Sequence, residues 1–303
     1  MPVCRKCCVS AISREIAPRS RCQNVNYPDS FGSKMPLATA RACRKGHFMT
    51  ESPNPQSIPA ATVVVFRRAA GGGPAELLML ERSGSMRFAG GAAVFPGGRV
   101  DPSDHELAAR LDHGLDQDEA AARVAALRET IEEAGLVLGM HAKVAAEQAA
   151  EARAMLAGHG ALAPVLERFG WVPDLSALHP WARWCPDRAM SFDTRFYLAD
   201  LGTGAVDVSK DDTENTHLFW ASACEALAMA DRGEISVIFP TRRNLDRLAL
   251  HSSFAAARDF AARYPIRVVA PVRREIDGVD SLTIPDDLGY PITSQPMAAV
   301  KRG

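Results

Sequence analysis

The chain reads as an α+β fold, and three observations carry that reading. Short β-rich runs cluster between residues 60 and 95, helical periodicity dominates from residue 118 onward, and further β-rich runs return between 178 and 220. The apolar and charged fractions, 47% and 23%, are those of an ordinary globular chain, and 303 residues suffice for a sizeable core. Charge is uneven. Residues 1–48 carry nine Lys/Arg and two Asp/Glu, whereas the remainder carries 26 and 34. An acidic body argues against an obligatory nucleic-acid partner, because neutralising phosphates requires Lys and Arg. No apolar run is long enough to span a membrane, so no membrane partner is expected. Seven cysteines, of which only Cys185 and Cys224 fall in the body, fit a reducing compartment, and a cytoplasmic location is expected.

Residues 1–57 read as a basic extension outside the fold. Cys4-x-x-Cys7 and Cys43-x-x-x-His47 have spacings that suit Zn²⁺, without any surrounding periodicity to support a site. Ala60–Phe66 and Glu76–Arg82 read as a hairpin across the Gly71-Gly72-Gly73-Pro74 turn, and Ala92–Phe95 as a short strand. Pro96-Gly97-Gly98 reads as a turn whose glycines let backbone approach a ligand. The stretch 99–115 reads as a loop with one or two helical turns. Asp118–Gly135 is a helix, with Val124, Leu127, Ile131 and Ala134 forming one apolar stripe. Asp116 and Glu119 are expected to form its capping box, and Gly135 to end it. Leu136–Met140 is expected as a strand. Helices follow over 142–156 and 161–169, then a hairpin from Leu178–Cys185 and Phe192–Leu201. Helices are expected over 222–232, 242–250 and 253–264, with a late strand over 266–272 and a tail from residue 296. Ala-rich helices of this kind often serve oligomers, so a homodimer is left open.

Glu129, Glu132 and Glu133 lie at i, i+3 and i+4, which gathers three carboxylates on one helix side. Such a cluster is either a solvated acidic face or a site for hard divalent cations, which take oxygen ligands alongside phosphates. Pro96-Gly97-Gly98 followed by Arg128-Glu129-Thr130-Ile131-Glu132-Glu133-Ala134-Gly135-Leu136 resembles the signature of the Nudix hydrolases. Three departures stand out. Thr130 takes the place of the signature's first apolar residue. The interval from Gly98 to Arg128 is 30 positions, longer than the family pattern, which makes 99–115 an insertion; and Ala120 occupies the place of the pattern's first Glu, with Glu119 beside it. Phe192-Asp193-Thr194-Arg195-Phe196-Tyr197-Leu198 and Phe239-Pro240-Thr241 extend the likeness to the coenzyme A diphosphatase-like branch, the type called nucleoside diphosphate-linked moiety X motif 19, over most of 58–295.

The resemblance implies an α/β/α sandwich with a mixed sheet and extra helices. It also implies metal-dependent hydrolysis of a nucleoside diphosphate linked to another moiety. Coenzyme A or its acyl derivatives would give 3′,5′-ADP and 4′-phosphopantetheine. ADP-ribose, dinucleotides or capped RNA are alternative substrates, and a non-catalytic nucleotide sensor is the alternative role. Mg²⁺ or Mn²⁺ would be held by Gly98, Glu129, Glu132 and Glu133. Glu129, Glu132 and Glu214 are the rival general bases, with His217 a weaker one, and Arg128 would orient a glutamate. Arg82 and Arg87 are the cations nearest the glycine turn and would serve the 3′-phosphate of a small-molecule nucleotide. Asp101 and Asp104 are lesser candidates for touching metal.

Overall fold

The computed structural model describes residues 56–82, 91–141, 143–201 and 215–301. Cys4, Cys7, Cys43, His47, Arg87 and Glu214 lie outside them.

One eight-stranded mixed sheet organises these residues. Its strands are β1 (Ile58–Arg67), β2 (Glu76–Arg82), β3 (Ala93–Val94), β4 (Gly97–Arg99), β5 (His179–Trp184), β6 (Phe192–Asp200), β7 (Asn215–Ala221) and β8 (Val268–Val269). The main path runs β3-β2-β1-β6-β5-β8, with β4 paired to β1 and β7 to β2. β1 pairs with β6 in parallel and with β2 and β4 antiparallel. Alternation along β1 decides the layering. Ala61, Val63 and Val65 enter one core with helices α2 (Gln117–Ala134), α3 (Ala146–His159) and α4 (Leu162–Phe169). Val64 and Phe66 enter a second core with α5 (Ala223–Asp231), α6 (Phe239–Leu248) and α7 (Phe254–Ala261). A strand covered on both faces has no polar side, which explains the continuous apolar run in β1. The result is the expected α/β/α sandwich.

Four differences from the sequence reading matter. Pro96-Gly97-Gly98 is not only a turn: Gly97–Arg99 is strand β4, paired with Ala60–Thr62. α2 is not amphipathic with a single stripe; every residue of Glu119–Arg128 is buried, because the sheet, α1 (Pro102–Ala108) and the segments after α2 enclose it. Leu136–Met140 forms no strand. The edges of β1 are taken by β2, β4 and β6, so Leu136 and Leu138 fill the core as irregular chain, with one bridge from Met140 to Pro173.

The fourth difference is at the C-terminus. The late strand breaks into β8 and a separate sheet of β9 (Val272–Ile276), β10 (Val279–Thr283) and β11 (Ser294–Pro296). Asp277 and Gly278 both have positive φ, 50° and 76°, the signature of the tight hairpin turn that an Asp-Gly pair favours. Residues 296–301 are docked, not a loose tail: the Phe239 amide donates to the Lys301 carbonyl at 3.2 Å.

Candidate active site

The site is assembled on the last turns of α2. Asp116 caps the helix start, accepting from the amides of Asp118 and Glu119. Gly135 ends it in the left-handed conformation, φ 68°, donating its amide to the Ile131 carbonyl. The terminal carbonyls of Glu132 and Glu133 are met by Arg153 of α3 at 2.9 and 3.1 Å. Thr130, in a place where the signature has an apolar residue, is fully buried and satisfies its hydroxyl by donating to the Ala126 carbonyl at 2.7 Å.

Arg128 is the hub. Its guanidinium is buried and makes two parallel bonds to Asp104, Nε to Oδ1 at 3.0 Å and Nη2 to Oδ2 at 2.9 Å. Nη2 also donates to the Arg99 carbonyl at 2.9 Å. Nη1 reaches Glu129 at 3.0 Å and Glu132 at 3.1 Å. Asp101 lies 3.4 Å from Nη2. The inserted stretch therefore has a structural purpose: α1 delivers Asp104, itself held by the Asp101 amide at 2.8 Å, as the counter-charge that fixes Arg128. Asp104 is directed at Arg128 through both carboxylate oxygens, so its role is to position that guanidinium. A fork-shaped guanidinium suits this bidentate geometry.

Glu133 is also buried, and its Oε2 accepts from the Gly97 amide at 2.8 Å. It joins α2 to β4. Gly98 lies against the other side of the cluster: a Cβ there would fall onto the Glu129 carboxylate. Gly97 has φ 154°, and a Cβ on it would strike β1 backbone at Ala61 and Thr62. Both positions thus require glycine for close approach. Gly98 lies against Glu129, Glu129 and Glu132 share Arg128, and Glu133 reaches the neighbouring Gly97.

The electrostatics are those of a crowded acidic site. Burial raises Glu129 to about 7 against the lowering influence of Arg128, and Glu132 adds repulsion. Burial likewise raises Glu132. The carboxylates as they stand are turned toward Arg128 and the Gly97 amide, and among the described residues no three acidic, His or Cys side chains enclose an ion. The donor chemistry fits hard divalent cations: several carboxylates on one helix side, beside a glycine backbone with no side chain in the way.

Glu119 does not serve this site. Although the first-turn cap from Asp116 forms, the Glu119 carboxyl turns into the core, accepting from Arg123 at 2.8 Å and Tyr197 at 3.2 Å, with Arg195 3.5 Å away. Ala120 beside it is buried among apolar residues. His217 stacks on Phe219 at 5.6 Å between ring centroids.

Next to Gly97 opens a cavity of about 320 Å³. Its walls include Trp184, Phe192, Phe196 and Phe239, and Arg82 also lines it. Arg188 and Lys301 line the same cavity, and no motif in the sequence pointed to either.

The crystal structure of a NUDIX hydrolase from Alicyclobacillus acidocaldarius is similar to this chain at 30% identity and TM-score 0.56, covering 69% of this chain and 96% of that one. This chain belongs to the Nudix hydrolase family. A family model described as the NUDT19 Nudix domain matches residues 107–248 of this Nudix protein. The acyl-coenzyme A diphosphatase NUDT19 of Gallus gallus is 29% identical over 243 residues, which is 62% of this chain and 64% of the relative. Its counterpart from Xenopus laevis is 25% identical over 226 residues, 57% and 59% respectively. The alignments therefore span less than two thirds of either relative. The Nudix match by family model starts beyond Gly97 and Gly98, so the glycine half of the site rests on the geometry above. No helix among the described residues is long and apolar enough to cross a membrane.

Proposed function

We propose that this Nudix protein hydrolyses the diphosphate of coenzyme A or its acyl derivatives, releasing 3′,5′-ADP and 4′-phosphopantetheine. The observation that carries this is the buried Arg128 hub, with Glu129 and Glu132 on one guanidinium edge and Glu133 holding Gly97. The names of the two NUDT19 relatives supply the substrate class. Glu129, Glu132, Glu133 and the Gly98 carbonyl are the groups that would hold Mg²⁺ or Mn²⁺. When bound, such cations neutralise phosphate charge and acidify a water.

The chain's own residues do the rest. Arg128 binds one carboxylate oxygen of each of Glu129 and Glu132 through Nη1 and so orients both side chains. Glu133 holds the Gly97 amide and so keeps β4 close enough for the diphosphate to lie along a bare backbone. Glu129 or Glu132 takes the proton of the attacking water, with Glu214, outside the described residues, as the third candidate. In-line attack on phosphorus then needs positioning more than covalent chemistry. The reading includes a small-molecule nucleotide partner and a cytoplasmic protein without obligatory nucleic acid or membrane partners.

The test is turnover of coenzyme A, acyl-coenzyme A, ADP-ribose, NADH and capped RNA with Mg²⁺ or Mn²⁺, beside the Glu132→Gln, Glu133→Gln double variant. Metal-dependent release of 3′,5′-ADP that the double variant loses supports the reading. Turnover of ADP-ribose or capped RNA alone would move the substrate and keep the chemistry. Nucleotide binding with no turnover would leave a sensor.

A further inference from the structure

β9 is the outer strand of the sheet β11-β10-β9, and every residue along it is exposed. Proteins usually shield such an edge with Lys, Pro or a bulge, and β9 has none of these. Its hairpin with β10 turns in two residues, Asp277-Gly278, so the flanking pair Ile276 and Val279 is hydrogen-bonded. Bonding alternates from there. Val272, Arg274 and Ile276 direct their backbone groups at β10, and the Val272 carbonyl also accepts from the Thr283 hydroxyl at 2.9 Å. Arg273 and Glu275 direct theirs outward. One face of this edge is apolar: Val272, Ile276 and Val279 are 48%, 38% and 48% exposed. The other face is charged and unbalanced. Glu275 stands directly opposite Asp280, a like charge, and Arg273 reaches Asp280 diagonally with Nε at 2.7 Å. Among the described residues Glu275 itself meets no cation.

We propose that β9 pairs antiparallel with β9 of a second copy of this chain, joining two three-stranded sheets across a two-fold axis. The two outward residues select the register. Three two-fold registers centre on the strand: Arg273 meets the partner's Arg273, Glu275 meets the partner's Glu275, or Arg273 meets the partner's Glu275. The first two oppose like charges. The third gives each Glu275 the cation it lacks, twice by symmetry. That register also sets Val272 opposite the partner's Ile276, so the two exposed apolar faces become continuous. Charge thus chooses the register, and burial of the aliphatic side chains drives the pairing. Arg274 falls on the axis and faces its own copy, a like-charge contact that works against the dimer. A five-residue strand makes a small interface, so association is weak, with a Kd on the order of 10 µM. The proposal is independent of the coenzyme A reading and uses no residue of the candidate active site. It assigns the homodimer left open by the Ala-rich helices to the C-terminal sheet instead.

Sedimentation velocity of the full chain between about 1 and about 300 µM tests this, and the unaltered protein is expected to pass from monomer to dimer across that range. Glu275→Arg should weaken association at least about tenfold, because Arg then faces Arg, and Arg273→Glu should do the same with two glutamates. An equimolar mixture of these two variants should associate at least as tightly as the parent, since the mixed dimer sets opposite charges at both pairs. Arg274→Cys should form a disulfide between the two copies of residue 274 on mild oxidation, identified by peptide mass spectrometry. A non-hydrogen-bonded antiparallel pair brings Cα atoms to about 4.5 Å, within disulfide reach. All three positions are exposed, and a thermal melt checks that the variants fold. A protein that stays monomeric throughout the range would overturn the proposal. So would a dimer that survives both single variants, a mixture of folded variants that fails to associate, or an oxidised dimer without the link at 274.

Discussion

α2 carries two buried charge clusters about two and a half turns apart, and they are built on opposite principles. Near its N-terminus, among the described residues, Glu119 faces Arg123 and Arg195, with the Tyr197 hydroxyl donating to it. Near its C-terminus, among the described residues, Arg128 is the one guanidinium that faces Asp101, Asp104, Glu129 and Glu132. The first cluster sets two guanidinium groups against one carboxylate. The second has four carboxylates on one guanidinium, an excess of negative charge that repels itself until more cation arrives. Burial raises a carboxyl pKa in both places. Only in the second is there a surplus of acids beside a bare glycine backbone. Charge imbalance, more than burial or the number of ion pairs, separates a site from a structural network here.

The comparison is broken most severely by Glu129→Gln. Turnover of the substrate should fall at least about a hundredfold, since even groups that only support metal ligands matter at 10–100-fold. Urea melts without cation should nonetheless show stability equal to or above the parent, because a repelling charge is removed. A loss of stability in that melt would mean that the cluster is structural after all. Glu119→Ala should do the reverse. It leaves Arg123 and Arg195 buried without their carboxylate, a cost of about 3–5 kcal/mol in the same melt. Divalent-cation affinity of whatever folded protein remains should match the parent.

Gly98→Ala comes next. Its Cβ would displace the Glu129 carboxylate, so cation affinity measured by calorimetry should fall about tenfold or more, with a stability loss of about 1–3 kcal/mol. The smallest effect concerns pH. Burial lifts Glu129 from its ordinary 4.5 to about 7. The folded state therefore holds this proton more tightly than the unfolded chain. Without cation, that contribution to stability is complete below about 4.5 and is lost as pH rises through about 7. A divalent cation needs the carboxylate and competes with the proton. The rise in Tm on adding Mg²⁺ should accordingly be larger at pH 8 than at pH 6. An equal rise at both would place the cation elsewhere.

Much of this was legible in the chain. Periodicity located α2, and local chemistry placed Asp116 before it and Gly135 after it, because capping involves only neighbours within a turn. The spacing of Glu129, Glu132 and Glu133 put three carboxylates together, since helix geometry alone decides which residues share a side. Glycine at 97 and 98 announced a close approach, because only a missing Cβ permits it. The Asp277-Gly278 pair is likewise a local signal, since a tight hairpin turn favours that dipeptide.

Other features had no local signal. Nothing near Asp104 says that it will meet Arg128, 24 positions on, and nothing in Glu119 says that it will turn from the helix cap to Tyr197. Leu136–Met140 has the composition of a strand, yet the edges of β1 were already occupied. Lys301 sits in a segment without periodicity and still walls a cavity with residues from β5, β6 and α6. A helix brings together residues three and four apart by its own geometry, so the chain by itself determined which glutamates form the cluster. Which cations balance them, which strand finds a free edge and what closes the cavity depend on contacts between distant segments, and only the packed sheet and its two helical layers decided those.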